Sequence, residues 1–128
     1  MPDDILAQTI KGTVIPGYGE GRKLGFPTAN LRLDAASPRP AVGVYICWVA
    51  YKSQAKVPGI LVSGVHWETQ QVPRVEVYLL DFSGDLYGLE LEVAVGQKMR
   101  DVVTGLSPAE LKKLIARDIA TTRQLMAG

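Results

Sequence analysis

The stretch RVEVYLLDF at residues 74–82 constrains the fold more than any other part of the chain. Its side chains alternate: Val75, Val77 and Leu79 share one face, and Arg74, Glu76 and Tyr78 the other. A period of two belongs to an extended strand with one face against a core. The same period returns in LYGLELEVAVGQKM at 86–99, with Leu89, Leu91, Val93 and Val95 on one side. Between the two, FSGDLYG offers a turn with a Ser-Gly-Asp centre. IKGTVI at 10–15, GVYICWVAY at 43–51 and VPGILVSGV at 57–65 read as further strands, the last interrupted by Pro58 and Gly59. Most connections are too short for crossover helices. Antiparallel neighbours in a closed or nearly closed barrel are the expected result.

The end of the chain changes period. In SPAELKKLIARDIATTRQLM at 107–126, Ser107 is an N-cap, Pro108 occupies the first helical position and Glu110 completes a capping box. Leu111, Leu114, Ile115, Ile119, Thr122 and Met126 fall on one helical face, with Lys112, Lys113, Arg117 and Asp118 largely elsewhere. This helix is expected to dock outside the barrel. At 128 residues the chain is expected to form one domain, 1–128, with its core over about 11–126.

Charge and composition narrow the function. A net charge of +1 argues against nucleic-acid binding through a broad basic surface, so any positive potential must be local. The single cysteine, Cys47, allows no intrachain disulfide and reads as a small buried hydrophobe. The sole histidine, His66, rules out multi-histidine zinc sites. No apolar run reaches the length of a membrane helix, and MPDDILAQTI lacks the pattern of a secretory signal. A soluble, cytoplasmic protein with no membrane partner is the expectation.

The chemistry concentrates in GYGEGRKLGFPTAN, residues 17–30. Gly17, Gly19 and Gly21 allow backbone N–H groups to converge on an anion, and Arg22 and Lys23 can neutralise it. The pattern is neither a Walker loop, since Leu24 follows Lys23, nor a dinucleotide fingerprint, since the chain runs into Pro27. Taken alone, the heptad is equally a glycine-rich turn. Pro27 keeps Phe26 extended. Thr28 and Asn30 then point to one side, as neutral oxygen ligands suited to Mg²⁺ or as the makers of a local Ser/Thr or Asx turn. Glu76 is either an outward charge paired with Arg74 or a carboxylate that orients an acceptor hydroxyl and takes its proton.

GTVIPGYGEGRKLGFPTANL (12–31), VGVYICWV (42–49), RVEVYLLDFSGDLYG (74–88), Arg100 of QKMRD and the helix LKKLIARDIATTRQL together resemble the riboflavin kinase (flavokinase) family, from about Lys11 to the end. The resemblance implies a six-stranded antiparallel Greek-key barrel with a C-terminal helix packed outside. It also implies ATP and Mg²⁺, with the γ-phosphoryl passed to the terminal ribityl hydroxyl of riboflavin to give FMN. By position, Thr28 and Asn30 match residues on the nucleotide phosphates and the metal, and Gly17, Arg22 and Lys23 the phosphate loop. Glu76 matches the catalytic base, Leu79, Asp81 and Tyr87 the nucleotide site, and Arg100 the flavin side. Two regions depart from the family. LVSGVHWETQQVP at 61–73 replaces an Asn-Gly-Pro-Thr region, and DVVTGLS after Arg100 puts Val103 and Gly105 where a lysine and a phenylalanine are usual. An altered flap at 101–106 leaves open a binding module without turnover, or a kinase of another small alcohol. Members are often fused to an FMN adenylyltransferase domain. No such segment lies in these 128 residues, so the chain is expected to be a stand-alone kinase or part of a longer protein, with an adenylyltransferase domain or enzyme as its partner.

Overall fold

The computed structural model describes residues 8–15, 29–51, 54–64, 74–80, 88–103 and 105–127. They form strands β1 (Gln8–Ile15), β2 (Ala29–Leu33), β3 (Gly43–Tyr51), β4 (Gln54–Gly64), β5 (Arg74–Leu79) and β6 (Glu90–Arg100), and one helix, α1 (Pro108–Ala127). The strands close into an antiparallel barrel in the order β1-β2-β5-β4-β3-β6. The six-stranded closed barrel with a C-terminal helix is therefore as expected. Five strands were readable in the sequence, β5 and β6 from alternation and β1, β3 and β4 from their β-favouring residues. The sixth, β2, is only five residues long, with Ala29, Leu31 and Leu33 inward and Asn30 and Arg32 outward.

The barrel is filled by the inward residues of every strand. Ile10, Val14, Leu31, Cys47, Val49, Leu61, Val75, Val77, Leu91, Val93 and Val95 make one continuous core. Each buried aliphatic side chain of this size contributes about 1.5–3 kcal/mol. β3 departs from simple alternation because both its faces are covered. Cys47 and Val49 point inward, while Val44 and Ile46, with Ile60 of β4, are buried on the outer face. That outer patch lies on the side where α1 packs against β4. A strand buried on both faces reads as the continuous apolar run GVYICWVAY.

β4 runs straight through the Pro58-Gly59 pair that was expected to interrupt it. The carbonyl of Pro58 accepts from Leu80 N–H at 2.9 Å, so the residue's missing N–H faces β5 where that strand ends. Gly59 fits because a Cβ there would sit 2.7 Å from the Tyr78 carbonyl oxygen.

The turn expected after β5 does not join paired strands. β5 and β6 lie opposite each other in the ring, and β6 pairs with β1 and β3 instead. Likewise residues 34–42 run from β2 to a strand three places away and cap one end of the barrel. Ser63 Oγ donates to the Pro40 carbonyl (2.9 Å), Tyr45 OH donates to the Ala41 carbonyl (2.7 Å) and Ser37 Oγ accepts from Lys11 N–H (3.0 Å). These bonds give polar groups at the barrel end their partners.

α1 begins as its sequence requires. Glu110 N–H donates to Ser107 Oγ (3.1 Å) and the Glu110 carboxylate accepts from Ser107 N–H (2.9 Å), a reciprocal capping box. Its docking face carries half-buried Leu111, Leu114, Ile115, Ile119 and Met126, and fully buried Thr122. Asp118 corrects the sequence reading: it lies on this face, 7% exposed. Its position four residues before Thr122 and four after Leu114 puts it there by geometry, and a guanidinium makes its burial tolerable.

Candidate active site

Adjacent strands of the barrel run in opposite directions, so alternate ends meet on one rim. The C-terminal end of β1, the N-terminal end of β2, the C-terminal end of β5 and the N-terminal end of β6 share it. The rim is tied by Gly88 N–H donating to the Val14 carbonyl (3.0 Å) and Val14 N–H donating to the Leu89 carbonyl (2.9 Å). Gly88 takes φ +82°, a conformation that favours glycine. Residues 16–28 and 81–87 are the sequences joining these ends. Gly17, Gly19, Gly21, Arg22, Lys23, Thr28, Asp81 and Tyr87 lie outside the described residues.

Two expected site residues are brought together. Asn30 of β2 and Glu76 of β5 are direct cross-strand partners. Both belong to the outward set of their strands, because Leu31, Val75 and Val77 fill the core. Opposed residues in an antiparallel pair carry Cβ atoms about 4.5–5.5 Å apart, so an amide and a carboxylate stand side by side, each half-buried. The same register row continues to Ile15 of β1 on one side and to Val62 of β4 on the other. Glu76 thus has a polar neighbour across one ladder and an apolar one across the other.

Leu79 points inward, 6% exposed, and its side chain belongs to the core. It marks the rim rather than the outer face.

Arg100 is not beside Glu76. It ends β6, opposite Val44 of β3, and connects to Glu76 only through the row Val44–Val62–Glu76. Its guanidinium is held by Asp118: Nε donates to Oδ1 at 2.9 Å and Nη2 to Oδ2 at 2.6 Å. Nη1 donates to the Asp101 carbonyl at 2.9 Å. Sequence reasoning missed Asp118 because it sorted helix residues by polarity. An aspartate at apolar helical spacing was the available signal.

The donor set suits a metal that needs few protein ligands. Among the described residues no three His, Cys, Asp or Glu side chains cluster as a metal cage. The Asn30 amide oxygen beside a carboxylate instead fits Mg²⁺, which keeps several waters and shares phosphate oxygens.

The flavokinase (riboflavin kinase) family model matches residues 6–126. The bifunctional riboflavin kinase/FMN adenylyltransferase of Escherichia coli (strain K12) is 37% identical over 116 residues, covering 90% of this chain and 37% of that protein. The protein of the same name from Pseudomonas fluorescens is 38% identical over 120 residues, covering 92% and 38%. The chain thus spans little more than a third of the length of these curated relatives. Among solved structures, a macrolide-efflux protein from Streptococcus pneumoniae superposes with a TM-score of 0.83 at 31% identity, over 90% of this chain and 38% of that one. Riboflavin kinase from Trypanosoma brucei shares the fold, with a TM-score of 0.67 at 24% identity over 94% and 80%. The residues that carried the resemblance and the family match coincide in extent, and the chain belongs to the riboflavin kinase family.

Proposed function

We propose that this chain transfers the γ-phosphoryl group of ATP to the terminal ribityl hydroxyl of riboflavin, giving FMN and ADP. The observation that carries the reading is the direct pairing of Asn30 with Glu76 on the outer face of the barrel. Glu76 orients the acceptor hydroxyl and accepts its proton. The hydroxyl oxygen forms the new bond to phosphorus as the bond to the β–γ bridging oxygen breaks, and ADP leaves. Gly17, Gly19, Gly21, Arg22 and Lys23 cradle the phosphates, and Asp81 and Tyr87 line the nucleotide side of the rim, next to the point where the core residue Leu79 ends β5. Thr28 and Asn30 would hold Mg²⁺, which supplies charge neutralisation on the phosphates when bound. Arg100 serves the acceptor side. The product suits an FMN adenylyltransferase, whether on the same chain or another, and we place the reaction in the cytoplasm, where ATP is supplied.

The test is incubation with riboflavin, ATP and Mg²⁺ and chromatographic detection of FMN. Glu76→Gln is expected to lower kcat by about 10²–10⁴-fold while ADP binding persists. Full activity of that variant removes Glu76 as the base. Tight flavin or nucleotide binding without turnover would make the chain a binding module. Turnover of a different alcohol, with none on riboflavin, would assign another acceptor to the same phosphoryl chemistry.

A further inference from the structure

A buried ion pair needs a reason beyond stability. Removing two charges from water costs about as much as their attraction returns, and well-packed apolar residues often do as well or better. The pair between Arg100 and Asp118 approaches this case from one side: Asp118 is enclosed and Arg100 half-buried, with side-chain exposures of 10% and 24%. It stands on a helix face that is otherwise apolar except for fully buried Thr122, whose hydroxyl donates to Met99 Sδ at 3.3 Å. An apolar side chain at position 118 would continue that face. Aspartate binds the guanidinium in a bidentate fork, which fixes the plane as well as the position of the group.

Arg100 has five N–H donors. Among the described residues two go to Asp118 and one to the Asp101 carbonyl, which leaves one on each of Nη1 and Nη2. Asp101 is itself gripped a second time, its carboxylate by Lys98 Nζ at 2.7 Å. The start of the 101–106 segment is thus held by two cations of β6, one of them anchored to the helix through Asp118, and the capping box at Ser107 lies just past its far end.

From this geometry we infer that Asp118 is a positioning residue for the phosphoryl acceptor: it holds the Arg100 guanidinium in one plane, so that its two remaining N–H groups and the segment beginning at Asp101 meet the acceptor in a fixed arrangement. The inference rests on the proposed reading of Arg100 as an acceptor-side residue. Asp118 touches no substrate and acts through Arg100. Its loss weakens acceptor binding and leaves nucleotide binding as it was, because the nucleotide-side sequences join strand ends on the opposite rim of the barrel.

The experiment compares wild type, Asp118→Asn, Asp118→Glu and the apolar pair Arg100→Met/Asp118→Leu in FMN formation, with urea unfolding of each. Asp118→Asn is expected to raise the KM for riboflavin about tenfold or more while the KM for ATP stays within twofold, and Asp118→Glu recovers part of the loss. The apolar pair is expected to fold at least as stably as wild type and still show the acceptor defect, which a purely structural pair would not. Unchanged riboflavin KM in Asp118→Asn overturns the inference, as does a parallel rise in both KM values that follows lost stability. Should Asp118→Asn fail to fold, a wild-type riboflavin KM in the apolar pair overturns it equally. Absence of both FMN formation and riboflavin binding in the wild-type chain would instead refute the acceptor assignment itself, before any variant is compared.

Discussion

Gly59→Ala tests whether the β4–β5 ladder is as tight as its register requires. A Cβ at this position lies 2.7 Å from the Tyr78 carbonyl oxygen and 3.4 Å from Cys47 Sγ. The sulfur contact is ordinary. The oxygen contact is not, and the atom that must retreat is backbone, in the strand that carries Glu76 two residues earlier. Reaching van der Waals distance requires β5 to slide or tilt by a sizeable fraction of an ångström, and overpacking of this kind costs about 2 kcal/mol. In a chain of this length that is about 6–10 °C in Tm. Catalysis should suffer as well. A misplacement of about 1 Å at a reacting centre costs about 10²-fold, so the partial shift here is expected to lower FMN formation by about tenfold. Gly64→Ala, in the same strand, is the control: nothing lies within 4 Å of its added Cβ, and its stability should match wild type within about 0.5 kcal/mol. Urea unfolding followed by tryptophan fluorescence gives both stabilities, and chromatography gives both rates. Equal stability and rate for the two alanine variants would refute the reasoning, since β5 would then be free to move without consequence for Glu76.

Two further outcomes follow from ionisable groups. Hydrogen bonds from Ser107 N–H and from its hydroxyl hold the Glu110 carboxyl below its ordinary value of 4.5. A depressed folded value means that Glu110 stabilises the protein above pH 4.5 and that this contribution fades as pH falls through the lower, folded value. Glu110→Gln should therefore flatten the acid limb of a urea-midpoint-against-pH curve and leave activity at neutral pH unchanged. Desolvation pushes the Cys47 thiol well above its ordinary value, and the side chain has no exposed surface. The native protein should leave a thiol reagent unreacted at pH 8, with one equivalent titrating only after denaturant is added. Fast native-state labelling would contradict the inward placement of Cys47 on β3.

The parts of the fold that were legible in the sequence are those where one side of an element meets the core and the other meets water. β5 and β6 alternate cleanly because Val75, Val77, Leu91, Val93 and Val95 fill the barrel while their neighbours do not. The capping box of α1 was readable because it is purely local. What stayed hidden depends on distant partners. β2 is too short for its alternation to stand out, and its place between β1 and β5 is decided by ladders to residues some 20 and 45 positions away in the chain. The passage of β4 through Pro58 depends on where β5 happens to stop. Asp118 looked like a solvated charge because its guanidinium partner lies 18 residues back, on a strand rather than on the helix.

Barrel direction also explains why the candidate site is assembled from such scattered segments. β1 and β5 both run toward one rim, so the glycine-rich sequence after β1 and residues 81–87 after β5 start from the same end although more than 60 residues separate them. β6 runs the other way and delivers Arg100, the 101–106 segment and α1 to the opposite end. In the proposed reaction the phosphoryl donor belongs to the first end and the acceptor to the second. The transferring group must pass between them, and a base is useful only there. Glu76 is the third of six residues in β5, outward facing, with Asn30 across one ladder and Val62 across the other. A carboxylate one step earlier or later in the strand would point into the core, where it could neither reach a hydroxyl nor keep its charge. The period of two that first identified the strand is therefore also what aims Glu76 outward.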